Sequence, residues 1–302
     1  MWSLRPAGRQ IELGDFPVNI AVHPNGRFAA VLHAGHSKHE IVVVDVRAGQ
    51  VVSRTALNES FYGIEFSKDG KRLFCSGAGD EVLHGFDFAE GQLSAHRAIR
   101  LRDAKERAVP SGLAIDESAR RVFIANVWGH RITRAELSEE PQVADILLDT
   151  NSPSLLPVSV QPASDEDTAA ATKRAQAPLY ATRPEDAYPY ACRLDEKRQR
   201  LYVSLWAKAQ IAVVDLKTDQ VIARWPTEEH PCEMLLTRDG KHLFVANANR
   251  NTVSVLDTQT GKPVETIWAA LYSQSPPGST PNSLALSPDE DTLFVANANV
   301  NV

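Results

Sequence analysis

One phrase recurs six times along this chain, most legibly as LFVANANRNTVSVLDTQTGK at 243–262 and again as LFVANAN at 293–299. A unit repeated at fixed spacing restricts the fold to an array, in which each copy buries its apolar faces against its neighbours. The copies align on their Asp/Asn turns at Asn25-Gly26, Asp69-Gly70, Asp116, Asp195, Asp239-Gly240 and Asp289, in steps of 44, 47, 79, 44 and 50 residues. A module of roughly 44 residues suits four short strands with their turns and lies within the range of propeller blades. One large insertion separates the third copy from the fourth.

Each copy opens with a Pro or an aromatic-Gly pair and an alternating stretch such as Ser283-Leu284-Ala285-Leu286-Ser287. A polar turn follows, then a nearly continuous apolar run such as Leu293-Phe294-Val295-Ala296. Having no polar side to give to water, such a run is expected to be buried on both faces. Val253-Ser254-Val255-Leu256-Asp257 supplies a β-branched third strand closed by an Asp that can bond its own turn backbone, and Pro263 starts a fourth. Within the repeat, apolar residues recur at two and not at three and four, which rules out a helical reading of these segments.

An isolated four-stranded sheet leaves apolar faces wet, so the modules are expected to stack face to face in a ring. The expected fold is therefore all-β, a β-propeller of four-stranded antiparallel blades, as a single domain over 1–302. The blades would span 17–52, 61–93, 110–148, 188–222 and 230–267, with a partial blade at 281–302 and an insertion at 149–187. Gln10-Ile11-Glu12-Leu13-Gly14 has the pattern of an outermost strand. Ring closure commonly joins the two termini in one blade. The partner of that strand would lie beyond Val302, leaving about five and a half blades and at least one open sheet edge.

The phrases FPVNIAVHPNGR, DGKRLF, LFVANANRNTVSVLDTQTGK and PPGSTPNSLALSPDEDTLFVANAN resemble the YVTN-repeat propellers of the YncE type. With the Ala270-Leu271-Tyr272 lead-in, the closing phrase is similar to the form fused ahead of an alkaline-phosphatase-type phosphoesterase domain. The resemblance covers nearly the whole chain and is weakest over 138–187. It implies a seven-bladed ring, a metal-dependent hydrolase domain downstream as partner, and export to a periplasmic or extracellular site. None of that hydrolase chemistry is carried by these residues.

A net charge of −6 and a pI near 5.9 argue against nucleic acid as partner, because a phosphate backbone needs a concentrated basic face. The modest basic clusters at 97–107 and 197–200 read as solvated blade edges. No apolar run approaches the roughly 20 residues of a membrane span, and MWSLRPAGRQ lacks the apolar centre of a secretion signal. Cys75, Cys192 and Cys232 give no disulfide framework, and no C-x-x-C-H haem site is present. No cofactor is expected.

Loops after the second strand and before the first share one rim of a propeller; the opposite rim holds repetitive Asp-Gly and Thr-Gly turns whose role is geometric. Sequence variety concentrates on the first rim, as do Trp128, His130, Tyr188, Tyr190, Trp206 and His230. A small ligand or a partner protein is placed there, at the channel mouth. Asn126 and Asn247 end second strands and are first read as loop-bonding residues; Asn249, Arg250 and Glu233 complete the rim candidates. Trp128 and Trp206 are assigned matching places in neighbouring blades, either packing loops together or stacking on a ligand.

His33, His36 and His39 are spaced three apart, but in a loop they need not converge, and zinc also wants a further ligand or an oriented water site. They are weak metal candidates only. In the insertion, Ser164 caps, Asp165 and Glu166 favour a helix start, and Lys173 and Arg174 fall near its end, which predicts a short helix over 164–177. Such a helix could roof the channel mouth. No nucleophile elbow, phosphate loop or zincin motif is present. A lactonase-type propeller acting on a sugar lactone is the enzymatic alternative, with Glu65, Glu233 and His230 recruited at the rim. A non-catalytic binding or scaffold ring fits the regular repeat better.

Overall fold

A computed structural model describes residues 8–118, 120–148, 155–157, 186–270, 272 and 277–299. The chain forms successive antiparallel meanders, each numbered here as a blade from its innermost strand outward. Blade 1 runs from Pro17–Val22 through Phe28–Ala34 and His39–Asp45 to Gln50–Leu57. Blade 2 starts at Ile64–Phe66 and ends at Gln92–Arg100, and blade 3 starts at Pro110–Asp116 and ends at Val143–Leu147. Blades 4 and 5 start at Pro189–Asp195 and Pro231–Leu236 and end at Gln220–Pro226 and Pro263–Trp268. Blade 6 is described as two strands, Pro281–Leu286 and Leu293–Asn297. A further strand, Leu155–Pro157, adds to the outer edge of blade 3. The helix expected over 164–177 lies outside the described residues.

The core lies between blades. Leu32, Ile41 and Val43 of blade 1 meet Leu73, Cys75 and Phe86 of blade 2. Across the next seam Phe74 and Leu83 meet Leu113, Val122 and Ile124, and the pattern repeats from blade 3 to 4 and from 4 to 5. The second strands are therefore sandwiched, and Val122, Phe123, Ile124 and Ala125 are all fully buried. Burying one such side chain contributes about 1.5–3 kcal/mol. Blade 6 differs: Phe294, expected to be buried, is 59% exposed, because no described residue covers that side of its sheet.

Two expectations are corrected. Gln10 to Gly14 form no strand; Ile11 and Leu13 lie as irregular chain on the face made by Val31, Val42 and Val44. Strand register also shifts the repeat alignment. Asp116 pairs with Arg121 and Asp195 with Arg200, so these aspartates occupy the place of Ser67 and Thr237, not of Asp69 and Asp239. The turn keeps its side-chain hydrogen bond with donor and acceptor exchanged. Ser67 donates to Asp69 in blade 2, whereas Ser118 donates to Asp116 in blade 3.

Glycine decides how near the blades approach at the axis. A Cβ on Gly112 would lie 2.5 Å from the Tyr190 carbonyl oxygen and 2.6 Å from the Ala191 Cα, and one on Gly63 would lie 2.2 Å from the Ser111 carbonyl oxygen. The innermost strands of blades 2, 3 and 4 are thus in backbone contact.

Candidate functional site

The innermost strand of most blades begins at a proline, and the residue before it is left-handed: Phe16, Val109, Tyr188, His230 and Thr280 have φ between 46° and 58°. The carbonyl of that residue accepts the N–H of the residue following the second strand, or in blade 1 of that strand's last residue. The bonds are Ala34 to Phe16, Val127 to Val109, Trp206 to Tyr188, Ala248 to His230 and Ala298 to Thr280. The clamp fixes one rim and turns these side chains toward it. It also settles which positions correspond. Trp206 matches Val127, so Trp128 lies one residue further along its loop and the two tryptophans are not equivalent.

Four of the rim candidates form a continuous row across blades 3 to 5. His130 meets Tyr188 edge-on at 4.6 Å, Tyr188 meets Trp206 at 6.4 Å, and Trp206 stacks on His230 at 3.7 Å and 16°. His130 is oriented at both nitrogens, accepting the Tyr188 N–H at Nδ1 and facing Asp186 from Nε2 at 3.4 Å. Burial lowers the pKa of His230. Asn249 and Arg250 fold back onto Glu229, at 3.0 and 2.8 Å, and so serve the loop itself.

Beside this row, over blades 1 to 3, the rim opens into a cleft of about 650 Å³. Phe61, Trp128, His39, Glu59, Lys105 and Arg107 contribute to its wall. Arg107 is half-buried and makes no ion pair among the described residues. Its loop, 103–107, is held from beneath by a buried network. Arg102 lies 3.3 Å from Glu81 and 3.0 Å from Asp145, and also reaches Thr133; the Arg102 Nε and Glu81 Oε2 contact is an ion pair without hydrogen-bond geometry. Burial pushes the Glu81 carboxyl up to about 7, against the pull of the Val109 N–H and Arg102.

Below the cleft the axis carries a second polar group. The Tyr62 hydroxyl donates to Glu233 Oε2, Arg193 Nη2 donates to Glu233 Oε1 at 2.6 Å, and Tyr190 lies 4.5 Å from Tyr62. Arg193 keeps 38% of its side-chain surface open although protein surrounds it closely, as expected of a channel wall. Burial raises Glu65 to about 7, with Arg193 opposing and Glu233 and Glu117 adding to the rise. The space left among Tyr62, Glu65, Arg193 and Glu233 is only about 50 Å³.

An acid raised this way stabilises the fold while protonated; its contribution is complete below pH 4.5 and disappears as pH rises through about 7. The Glu65→Gln variant is expected to match the parent chain at pH 5 and to exceed it in stability at pH 8. Urea midpoints at the two pH values check this, and an unchanged difference between them would show Glu65 titrating normally.

Asn126 and Asn247 are fully buried beneath the rim. Asn126 donates to the Arg131 carbonyl and to Thr133, and Asn247 to Thr252 and Ser254. Among the described residues no group of three or more His, Cys, Asp or Glu side chains is placed to hold a metal. His33 is buried, His36 is exposed, and His39 is engaged by Ser60 through Nδ1. The cysteines are free and buried, and burial pushes the Cys232 thiol up to about 12. No described helix is long and apolar enough to cross a membrane. The sequence places Phe61-Tyr62-Gly63 on this rim without marking Phe61 as a ligand residue, and Arg107, read there as part of a solvated basic edge, proves to line the cleft.

No protein-family model and no curated protein matches the sequence. Solved structures do resemble it, and they are β-propellers. A protein from Lactobacillus plantarum superposes with TM-score 0.66 at 12% identity, over 94% of this chain and 78% of its own. Catalytically inactive virginiamycin B lyase from Staphylococcus aureus, solved with quinupristin, gives 0.65 at 12% over 95% and 79%. A periplasmic gluconolactonase from Pseudomonas aeruginosa gives 0.64 at 16% over 94% and 78%. At these identities the similarity establishes the fold, and the chain is a β-propeller.

Proposed function

We propose that this propeller is a non-catalytic binding module of the YVTN type, which holds a small polar ligand in the rim cleft. In that role it would serve a partner protein such as an adjoining phosphoesterase domain. The observation that carries the proposal is a contrast of sizes. Ligand sites occupy roughly 300–1,000 Å³; the rim cleft, at about 650 Å³, lies within that range. The axial carboxylates surround only about 50 Å³, room for water and not for a sugar lactone. Trp128 and Phe61 offer flat apolar surface, and Arg107 offers a cation with no ion-pair partner among the described residues. A sugar acid carries the complementary pair, an apolar ring or chain face and a carboxylate.

The second reading is a sugar-lactone hydrolase. It is favoured by the perturbed Glu65 beside Arg193 and by gluconolactonases among the propellers of similar fold. Titration with D-gluconate, followed by tryptophan fluorescence, is expected to give saturable binding that Trp128→Ala weakens by about tenfold, the worth of one aromatic contact. Glucono-δ-lactone is expected to hydrolyse no faster with the protein than in buffer. Turnover that Glu233→Gln abolishes would instead establish the hydrolase.

A further inference from the structure

A second cavity lies away from both the rim cleft and the axis. It occupies about 430 Å³ in the seam between the outer parts of blades 2 and 3. Its blade 2 side includes Arg72, Phe74, Gly85, Asp87, Arg97 and Ile99, and its blade 3 side Arg120, Leu137 and Glu139. At the position of Gly85, blades 1, 3, 4 and 5 carry a side chain.

The opening has identifiable causes in the sequence. Gly85 pairs with Phe74 across the strands, and the corresponding third-strand partners in blades 1, 3, 4 and 5 are Val43, Arg134, Val213 and Val255. Glycine lets the Phe74 ring lie against the strand backbone, since a Cβ there would already be 3.2 Å from the ring. The fourth strand of blade 2 bulges opposite this point, between the pairs Gly85–Arg97 and Asp87–Ser94. Comparable bulges occur in blades 1, 4 and 5. Only in blade 2 does a residue of the bulge, Ala95 with φ 48°, turn left-handed. Backbone strain of that kind is tolerated where the surrounding structure uses it.

The chemistry of the wall is equally uneven. Phe74, Ile99 and Leu137 give an apolar floor continuous with the core of the seam. Arg72 is set over Phe74, 5.4 Å from the ring centre, and Arg120 is tied by one N–H to the Leu137 carbonyl at 3.1 Å. Arg97 is exposed and has no ion-pair partner among the described residues. Against these guanidiniums stand Asp87 and Glu139, which leaves positive charge in excess in a protein whose net charge is −6. Guanidiniums recognise carboxylate and phosphate in a planar, paired geometry that few other groups can use.

We propose that this seam is a binding site for a small organic anion, one carboxylate or phosphate monoester on a flat apolar body. The apolar body lies over Phe74 and Leu137, and the charged group meets Arg97, with Arg72 and Arg120 beside it. The occupant is thus set by charge at one end and by shape at the other, and neither inorganic phosphate nor a neutral arene satisfies both.

Calorimetric titration of the chain with phenyl phosphate, benzoate, inorganic phosphate and phenol tests the proposal. Phenyl phosphate or benzoate is expected to bind with one ligand per chain, at least about tenfold more tightly than inorganic phosphate or phenol; whichever of the two binds identifies the anion. Arg97→Glu is expected to weaken that binding by about tenfold or more, the worth of a hydrogen bond to a charged group. Its side chain is solvent-facing, so the melting temperature should not change. Gly85→Val fills the cavity with the side chain found at corresponding positions and should abolish binding. Trp128→Ala in the rim cleft should leave it intact, which separates this site from the one proposed above. No binding by either aryl anion, affinity unchanged in Arg97→Glu, or loss in Trp128→Ala instead of in the seam variants would each overturn the proposal.

Discussion

Replacing Arg102 with alanine is expected to cost the fold about 3–5 kcal/mol at pH 8, the cost of leaving buried charge without its partner. Arg102 is fully buried, and its guanidinium stands between Glu81 at 3.3 Å and Asp145 at 3.0 Å. Asp145 retains Arg131 at 3.0 Å after the change, and Thr133 retains Asp145 and Asn126, so the loss falls chiefly on Glu81. The sign of the pH dependence follows from Glu81. Its carboxyl is raised to about 7, so at pH 5.5 it is protonated and its exposure to the loss of Arg102 is smaller. Urea denaturation should therefore show a larger deficit at pH 8 than at pH 5.5. Adding Glu81→Gln should recover part of the pH 8 deficit, because it removes the stranded charge. A deficit below about 1 kcal/mol at both pH values would mean that the network does not hold the 103–107 loop in place.

Gly112→Ala is expected to destabilise the ring by roughly 3 kcal/mol, at the upper end of what one extra methyl does in a packed core. Most overpacking is relieved by side chains that rotate away. The new Cβ would meet the Tyr190 carbonyl and the Ala191 Cα, which are backbone. Relief requires separating the innermost strands of blades 3 and 4, and with them the Tyr62, Tyr190 and Glu233 contacts that close the axis. Chemical denaturation together with near-ultraviolet circular dichroism of the axial tyrosines measures both consequences. A variant of parental stability would show that the axis is not limited by backbone contact.

Much of this architecture was legible because repetition amplifies weak signals. The second strands declare themselves in runs such as RLFCS and RVFIAN, which lack a polar face and are sandwiched between blades. The location of variable loops on one rim also follows from connectivity. Contacts across the axis were not legible. Tyr62 and Glu233 lie 171 residues apart, and nothing in either local phrase marks the other as partner. The exchange of Ser67-x-Asp69 for Asp116-x-Ser118 concealed the true alignment, since both versions make the same turn bond. That two-residue error hid the correspondence of Glu65 with Arg193, which face one another electrostatically in the channel. Outer strands were difficult for a further reason. Gln50–Leu57 has no fully buried residue and alternates only between half-buried and exposed, so the contrast that marks a strand weakens where solvent replaces the neighbouring sheet.

Blade 2 breaks the repeat. It has Phe61 where other blades have a leading proline, Gly85 where they have a larger residue, and a left-handed residue in its bulge. The rim cleft and the seam cavity both border it. A ring of near-identical units would offer a ligand as many equivalent docking places as it has blades, and binding would be divided among them. A single irregular unit would remove that degeneracy: a ligand seated against it would find one place and one orientation on an otherwise quasi-symmetric wheel.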